Sequence, residues 1–308
     1  MDLQRASTAT WRELNAKPPR EPPPTLGERL GVYAIDKWLG DGGMARVYRA
    51  RHTMIDRQVA IKRLLPALAE IPAAHALLLR EARIAGAIRH PNLLEVFDFG
   101  YDTHARPYFV MQLAPGDTLA HRLRGGPLLE TQALDIAIEV ADAVAAVHAA
   151  GYVHRDIKAD NVMLGRDGER LAVKLIDFGI ACRLDEPAER LEGIAGTPRT
   201  MAPEQVAWDP IDERTDVWGL GVLIYEMLTA RLPFEAGESL RDEMLAIVTE
   251  PPRPLPDDLD PAVRALVEDC LSKDPNGRPS SATVLAGRLR SVQAAYLTAH
   301  TLVARRSR

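Results

Sequence analysis

The chain has 308 residues, 46% of them hydrophobic and 26% charged, with a formal net charge of −5; this is the balance of a soluble globular protein, and the acidic excess argues against a nucleic-acid-binding surface. Its two cysteines, Cys182 and Cys270, are too far apart for a metal spacing or a disulfide framework, so a reducing compartment, the cytoplasm, is expected. There is no run of about 18 apolar residues to span a membrane, and the N-terminal "MDLQRASTATWREL" lacks the apolar core of a signal peptide.

Residues 1–30 include "KPPREPPPTLGE", which is proline-rich and polar. Such a stretch cannot bury a core and reads as a disordered or extended tail. Next come strand-like segments: "VYAIDKWLG", "ARVYRARH", "RQVAIKRLL", "LLEVFDFG" and "PYFVMQL". They alternate apolar and polar residues and are interrupted by one helical pattern, "AAHALLLREARIAGAI". From about residue 117 the pattern turns helical, with apolar spacings of three and four in "ETQALDIAIEVADAVAAVHAA" and "TDVWGLGVLIYEMLTA". A second proline-rich stretch, "EPPRPLPDD", separates later helices, and no internal repeat is present. The expected fold class is therefore α+β, two-lobed: a small β-rich lobe at 31–112 with one main helix, and a larger α-helical lobe at 117–290. A C-terminal tail is expected at 291–308.

Four stretches carry chemistry. "LGDGGMARV", residues 39–47, lies between two strands. Its glycines allow backbone N–H groups to approach an anion closely, although an ordinary hairpin turn would look the same. A strand follows it, which disfavours a dinucleotide-binding helix. "VAIK" places Lys62 in an apolar strand, with Ala60 on its face and Val59 and Ile61 on the other. Glu81 in the following helix has Leu77, Leu78, Ile84, Ala85 and Ile88 at −4, −3, +3, +4 and +7, so it lies on the apolar stripe. A carboxylate there is costly unless paired, and Lys62 is a suitable partner. Lys62 as an edge-strand residue and Glu81 as a snorkelling one remain the bland readings. "HRDIKADN", residues 154–161, gathers six polar or charged residues between apolar segments. "LAVKLIDFG" ends a strand in Asp177, with Gly179 freeing the backbone. Asn161 and Asp177 both offer oxygen ligands of the kind a hard cation such as Mg²⁺ prefers. Each motif alone could be a turn.

In this order, and followed by "GTPRTMAPE", these motifs resemble the signature set of the protein kinase family, in particular the bacterial serine/threonine kinases of eukaryotic type. The resemblance covers residues 31–290 and includes "FVMQLAPG", Asp216 in "DVWGLG" and Arg278 in "DPNGRPS". It implies transfer of the γ-phosphate of ATP to serine or threonine hydroxyls of protein substrates. Leu39, Gly40, Asp41, Gly42 and Gly43 would then cover the nucleotide, and Lys62, positioned by Glu81, would hold its α- and β-phosphates. Val47, Ala60 and Met163 would sandwich adenine, with Met111 behind it and the backbone around Gln112 and Ala114 binding its edge. Asn161 and Asp177 would bind Mg²⁺. Asp156 would orient the substrate hydroxyl and Lys158 would neutralise the γ-phosphate. The resemblance also implies that His154 packs beneath the site and that Arg155 meets the activation loop. Asp216 would accept backbone N–H bonds, and Glu204 and Arg278 would form a buried pair. His148 reads as a packed core residue, and Cys182 sits in too acidic a setting to favour a thiolate.

The chain departs from the family pattern at Ala45, where the third glycine is usual, and at Ala159, Gln112 and Thr200. Between Gly179 and Gly196 there is no serine, threonine or tyrosine, but there are Asp185, Glu186, Glu189 and Glu192. One of these carboxylates is expected to pair with Arg155, in place of a phosphate on Thr197 or Thr200. Two alternatives stand beside an active kinase: a pseudokinase scaffold, disfavoured because Lys62, Glu81, Asp156, Asn161 and Asp177 are all present, and a small-molecule phosphotransferase, disfavoured by "GTPRTMAPE". A dimer or a larger signalling assembly is left open.

Overall fold

The structure is a computed structural model that describes residues 27–179, 181–184, 198–234 and 239–306. The expected carboxylates Asp185, Glu186, Glu189 and Glu192, together with Thr197 and most of the proline-rich N-terminal stretch, lie outside the described residues.

The first lobe is a six-stranded antiparallel sheet in the order β1-β2-β3-β4-β6-β5. Its strands are β1 (Arg29–Leu30), β2 (Tyr33–Asp41), β3 (Ala45–His52), β4 (Gln58–Leu64), β5 (Val96–Tyr101) and β6 (Pro107–Gln112). Helix α1 (Pro72–Ala87) crosses one face. Alternation along β4 serves both faces. Val59 and Ile61 join Leu30, Tyr48 and Val110 in the outer cluster, while Leu64 packs with Ala45, Leu78 and Phe109 beneath α1. The sheet begins earlier than position 31. Gly27 N–H donates to the Ile35 carbonyl, Glu28 pairs with Arg63 at 2.5 Å, and Leu30 is buried in the outer cluster. A two-residue strand is too short to show alternation, so no pattern announced it.

The second lobe is built on α3 (Glu130–Ala149) and α5 (Glu213–Thr229), with α2 (Leu119–Leu123), α4 (Pro203–Ala207), α6 (Leu240–Thr249), α7 (Pro261–Cys270) and α8 (Ala282–Arg306) around them. Helix α5 is buried almost all round from Thr215 to Tyr225 and forms the centre of the largest apolar cluster. Two glycines allow that. A methyl group on Gly219 would come within 3.0 Å of Ile157 Cβ in "HRDIKADN", and one on Gly221 within 2.6 Å of Cys270 Cβ on α7. Helix α8 runs across position 290 without a break and packs along α3, joined by Gln293 to Asp135 and Arg290 to Asp142. Short strands complete the lobe. β7 (Asp117–Thr118), β9 (Val162–Asp167) and β10 (Arg170–Leu175) form one sheet, and β8 (Tyr152–Val153) pairs with β11 (Cys182–Arg183). Cys182 is buried in that ribbon. Among the described residues no helix is long and apolar enough to cross a membrane.

Candidate active site

The site lies between the lobes, where β4, α1 and the ends of β8 and β10 converge. Val47, Ala60 and Lys62 share one face of the sheet, because Val47 stands opposite Lys62 and Ala60 lies two residues before it. Ala60 is also directly opposite Met111 on β6. The chain leaves β6 at Gln112, whose N–H is committed to the Glu95 carbonyl at 2.8 Å. Beyond it, no backbone hydrogen bond among the described residues engages Ala114. Met163 follows Asn161 on β9, opposite Thr118. Ala60 is buried, and Val47, Met111, Gln112, Ala114 and Met163 are half-buried.

Lys62 Nζ donates to Glu81 Oε1 at 2.5 Å and to Asp177 Oδ1 at 3.3 Å. The apolar-stripe argument is thus met in space: Glu81 is buried on α1 and takes its charge from the neighbouring strand. Burial acts to lower the Lys62 pKa, but the carboxylates of Asp177 and Glu81 outweigh it and push it up. Burial pushes Glu81 upward, against the pull of Lys62. Asp177 is drawn the other way. Burial acts to raise it, but Lys62 and the Gly179 N–H hold it at about 2. One ammonium thus sits between two carboxylates, and Asp177 stays ionised.

"HRDIKADN" is held from beneath. Asp216 on α5 accepts the backbone N–H of His154 at 2.7 Å and of Arg155 at 2.8 Å, and its Oδ2 also meets His148 Nε2 at 2.8 Å. His154 is fully buried against the Phe178 ring, and burial lowers its pKa. Arg155 adopts φ 70°, a left-handed conformation unusual for a side-chain-bearing residue; the two N–H bonds to Asp216 hold it there. The Arg155 carbonyl accepts from Gln205 of α4, while the buried Nε of the Arg155 side chain has no hydrogen-bond partner among the described residues.

Asp156 is the centre of the loop. Its Oδ2 accepts from Lys158 Nζ at 2.7 Å and from Asn161 Nδ2 at 3.0 Å, and Asn161 also donates to the Asp156 carbonyl. Its Oδ1 is buried with no hydrogen-bond partner among the described residues. Asn161 and Asp177 are brought together through the backbone, since Ile176 N–H donates to the Asn161 carbonyl at 2.8 Å. No group of three or more His, Cys, Asp or Glu among the described residues could enclose a metal ion. Asn161 and Asp177 do offer oxygen donors, the chemistry that Mg²⁺ takes when it leans on one or two protein oxygens plus substrate phosphates.

The glycine-rich stretch 39–43 forms the end of β2 and the turn into β3, and Leu39, Asp41, Gly42 and Gly43 are exposed. The Asp41 side chain is engaged by Arg46 at 2.8 Å and Trp38 at 3.2 Å. The sequence reading missed this, although the two residues are direct partners of one hairpin. Ala45, where the family pattern has glycine, is fully buried beneath α1. Thr200 is largely buried, at 9% exposure. Glu204 and Arg278 form a buried two-pronged pair at 2.7 and 2.9 Å.

Residues 33–289 match the protein kinase domain family. The chain belongs to that family. It is 35% identical over 271 residues to the serine/threonine-protein kinase Pkn3 of Myxococcus xanthus, covering 84% of this chain and 50% of that protein. It is 38% identical over 265 residues to Pkn1 of the same organism, covering 84% and 38%. With the serine/threonine-protein kinase PknA of Mycobacterium tuberculosis the figures are 34% over 278 residues, 88% and 64%. This kinase chain therefore spans half or less of the length of the two Myxococcus relatives. The two-lobed architecture expected from its strand and helix patterns is the protein kinase fold.

Proposed function

We propose that this kinase transfers the γ-phosphate of Mg-ATP to serine and threonine hydroxyls of protein substrates in bacterial signalling. The observation that carries the reading is the state of Asp156. Its Oδ2 accepts from Lys158 and Asn161, while Oδ1 is buried without a donor among the described residues. A buried acceptor without a donor costs free energy, and a substrate hydroxyl donating to Oδ1 would satisfy it. The hydroxyl oxygen would then be oriented for in-line attack, with its proton directed at the aspartate.

The other residues supply position and charge. Lys62, kept protonated by its two carboxylates, would bind the α- and β-phosphates. The turn at Gly40, Gly42 and Gly43 would cover them with backbone N–H groups. Val47, Ala60 and Met163 would enclose the adenine, with Met111 and the chain around Gln112 and Ala114 at its edge. Lys158 would stand between the base and the transferred group. Asp177 and Asn161 would hold Mg²⁺, which when bound would neutralise charge on the β- and γ-phosphates. The reading assigns this work to residues 31–290, with the nucleotide between the lobes at 31–112 and 117–290. It places that work in the cytoplasm, where ATP is made and used. A dimer or a larger signalling assembly is a separate question that light scattering would answer.

The test is phosphate transfer from labelled ATP to a generic serine- and threonine-bearing protein, followed by phosphoamino-acid analysis, with Asp156→Asn as the control. Label on serine or threonine, lost in the control, is expected. Label that persists in the control, or none with wild type, would reject the reading.

A further inference from the structure

The hairpin that carries the glycines also carries a side-chain clasp that phosphate binding does not need. Asp41 at the end of β2 and Arg46 on β3 are direct partners across the ladder. The turn between them is closed by the Gly42 N–H donating to the Ala45 carbonyl at 2.8 Å. One oxygen of Asp41 accepts both the Arg46 Nε–H at 2.8 Å and the Trp38 indole N–H at 3.2 Å. Two side chains thus meet on the carboxylate of a third, beside the glycine-rich turn.

The face matters. Side chains alternate along β3, so Arg46 shares the face of Tyr48, which belongs to the outer cluster, while Val47 stands opposite Lys62 on the other. The Asp41 carboxylate is therefore held on the outer side of the hairpin. A free carboxylate at this turn would repel a triphosphate. Bound to a guanidinium on the far face, it is neutralised and directed away. At the other end of the turn, Ala45 anchors the hairpin by full burial beneath α1, where a glycine would leave no methyl to pack.

We infer that Asp41 is a positioning residue for the nucleotide: through Arg46 and Trp38 it holds the glycine-rich hairpin in the shape that closes over the phosphates, without touching them. The inference rests on the reading that this hairpin covers ATP. Loss of the clasp lowers the population of the closed hairpin, so it weakens nucleotide binding and leaves the chemical step alone. The effect is modest because the Asp41 side chain is 49% exposed and solvent screens its ion pair.

The experiment measures kcat, KM for ATP, thermal midpoint and nucleotide-free tryptophan emission for Asp41→Ala, Asp41→Asn, Arg46→Ala, the double Ala variant and the charge swap Asp41→Arg with Arg46→Asp. Asp41→Ala is expected to raise KM for ATP about fivefold, with kcat within about twofold of wild type. The double variant should be no worse than the worse single one, since the two act as a unit. The swap should recover part of the loss. Asp41→Asn, which keeps an acceptor for Trp38 and serves if the Ala variants fold poorly, should fall between. The emission assigned to Trp38, by difference against Trp38→Phe, should change in Asp41→Ala without nucleotide. An unchanged or lowered KM in Asp41→Ala overturns the inference, a lowered one meaning that the carboxylate faces the phosphates. A fall in kcat and midpoint with KM unmoved also overturns it, since that is plain loss of fold support. Lys62→Ala keeps the two readings apart. If that change leaves Mg-ATP binding intact, the assignment of the nucleotide site fails, while the Trp38 emission still decides whether the clasp exists.

Discussion

Asp156 has one oxygen engaged twice and one without a donor among the described residues, and that asymmetry sets what its replacement should do. Asp156→Asn keeps the size of the side chain and removes the proposed base. Phosphate transfer should fall by about 10²–10⁴-fold. Affinity for Mg-ATP, measured by calorimetry, should stay near wild type, because no assigned nucleotide contact is lost. A variant that keeps more than about a tenth of the wild-type rate would show that the proton has another acceptor. Lys62 and Glu81 make a second residue-level case. At 2.5 Å and buried, each is of use only while the other is present. Lys62→Ala and Glu81→Ala should each cost heavily in kcat/KM, and the double variant little more than the worse single one. Fully additive losses would mean that the contact carries no function. This pair was legible in the sequence because a carboxylate on an apolar stripe demands a cation. The contact of Lys62 with Asp177, 115 positions away, was not legible from any spacing; the family resemblance gave each a role toward the nucleotide but did not pair them.

Helix α5 shows the same division at the scale of an element. Its apolar spacings of three and four predicted a helix, and that helix is buried almost entirely between Thr215 and Tyr225. Its ends hold polar groups whose purpose no periodicity states: Asp216 under "HRDIKADN" and Glu226 one turn from the C-terminus. Burial, and next the carboxylate of Asp160, push Glu226 up to about 7 from its ordinary value of 4.5. For an acid raised in this way the folded state binds the proton more tightly than the unfolded chain. Its stabilising contribution is complete below about pH 4.5 and is lost as pH rises through about 7. Glu226→Gln removes that titration. The variant should match wild type in acid and become the more stable of the two above pH 7, by up to about 3 kcal/mol. Thermal melts across pH 4.5–8 would check it; a stability difference that does not change with pH would mean that Glu226 titrates normally. The ends of other elements were equally opaque to pattern. Two-residue strands such as β1 and β11 have no periodicity to read, and the turn between β2 and β3 gave its glycines but not its clasp.

For the whole molecule, the question is what keeps the segments around the site in one arrangement when they come from distant parts of the chain. Arg278 answers for the larger lobe. It binds both oxygens of Glu204 on α4, donates to the carbonyls of Ser272, Lys273 and Arg214, and lies 5.0 Å from the Trp218 ring centroid. Glu204 also accepts from Thr215 Oγ1 at 2.9 Å. One guanidinium thus joins α4, the start of α5 and the turn before α8. Its partners are backbone carbonyls and a buried acid, so truncation leaves several acceptors without donors and a buried charge without its counterion. Arg278→Ala should cost about 3–5 kcal/mol, a fall of roughly 6–20 °C in Tm at about 2–4 °C per kcal/mol for a domain of this size. Removing both charges together, as Glu204→Leu with Arg278→Met, should recover part of that loss, because the desolvation cost of two ions disappears with them. Nucleotide affinity measured well below the transition should not move, since Lys62, Glu81 and Asp177 make no contact with the pair. The KM for a protein substrate should rise, since α4 also holds the catalytic loop through Gln205 and the Arg155 carbonyl. If Arg278→Ala melts within about 1 °C of wild type, or loses nucleotide and protein substrate equally, the pair does not hold the lobe in this way.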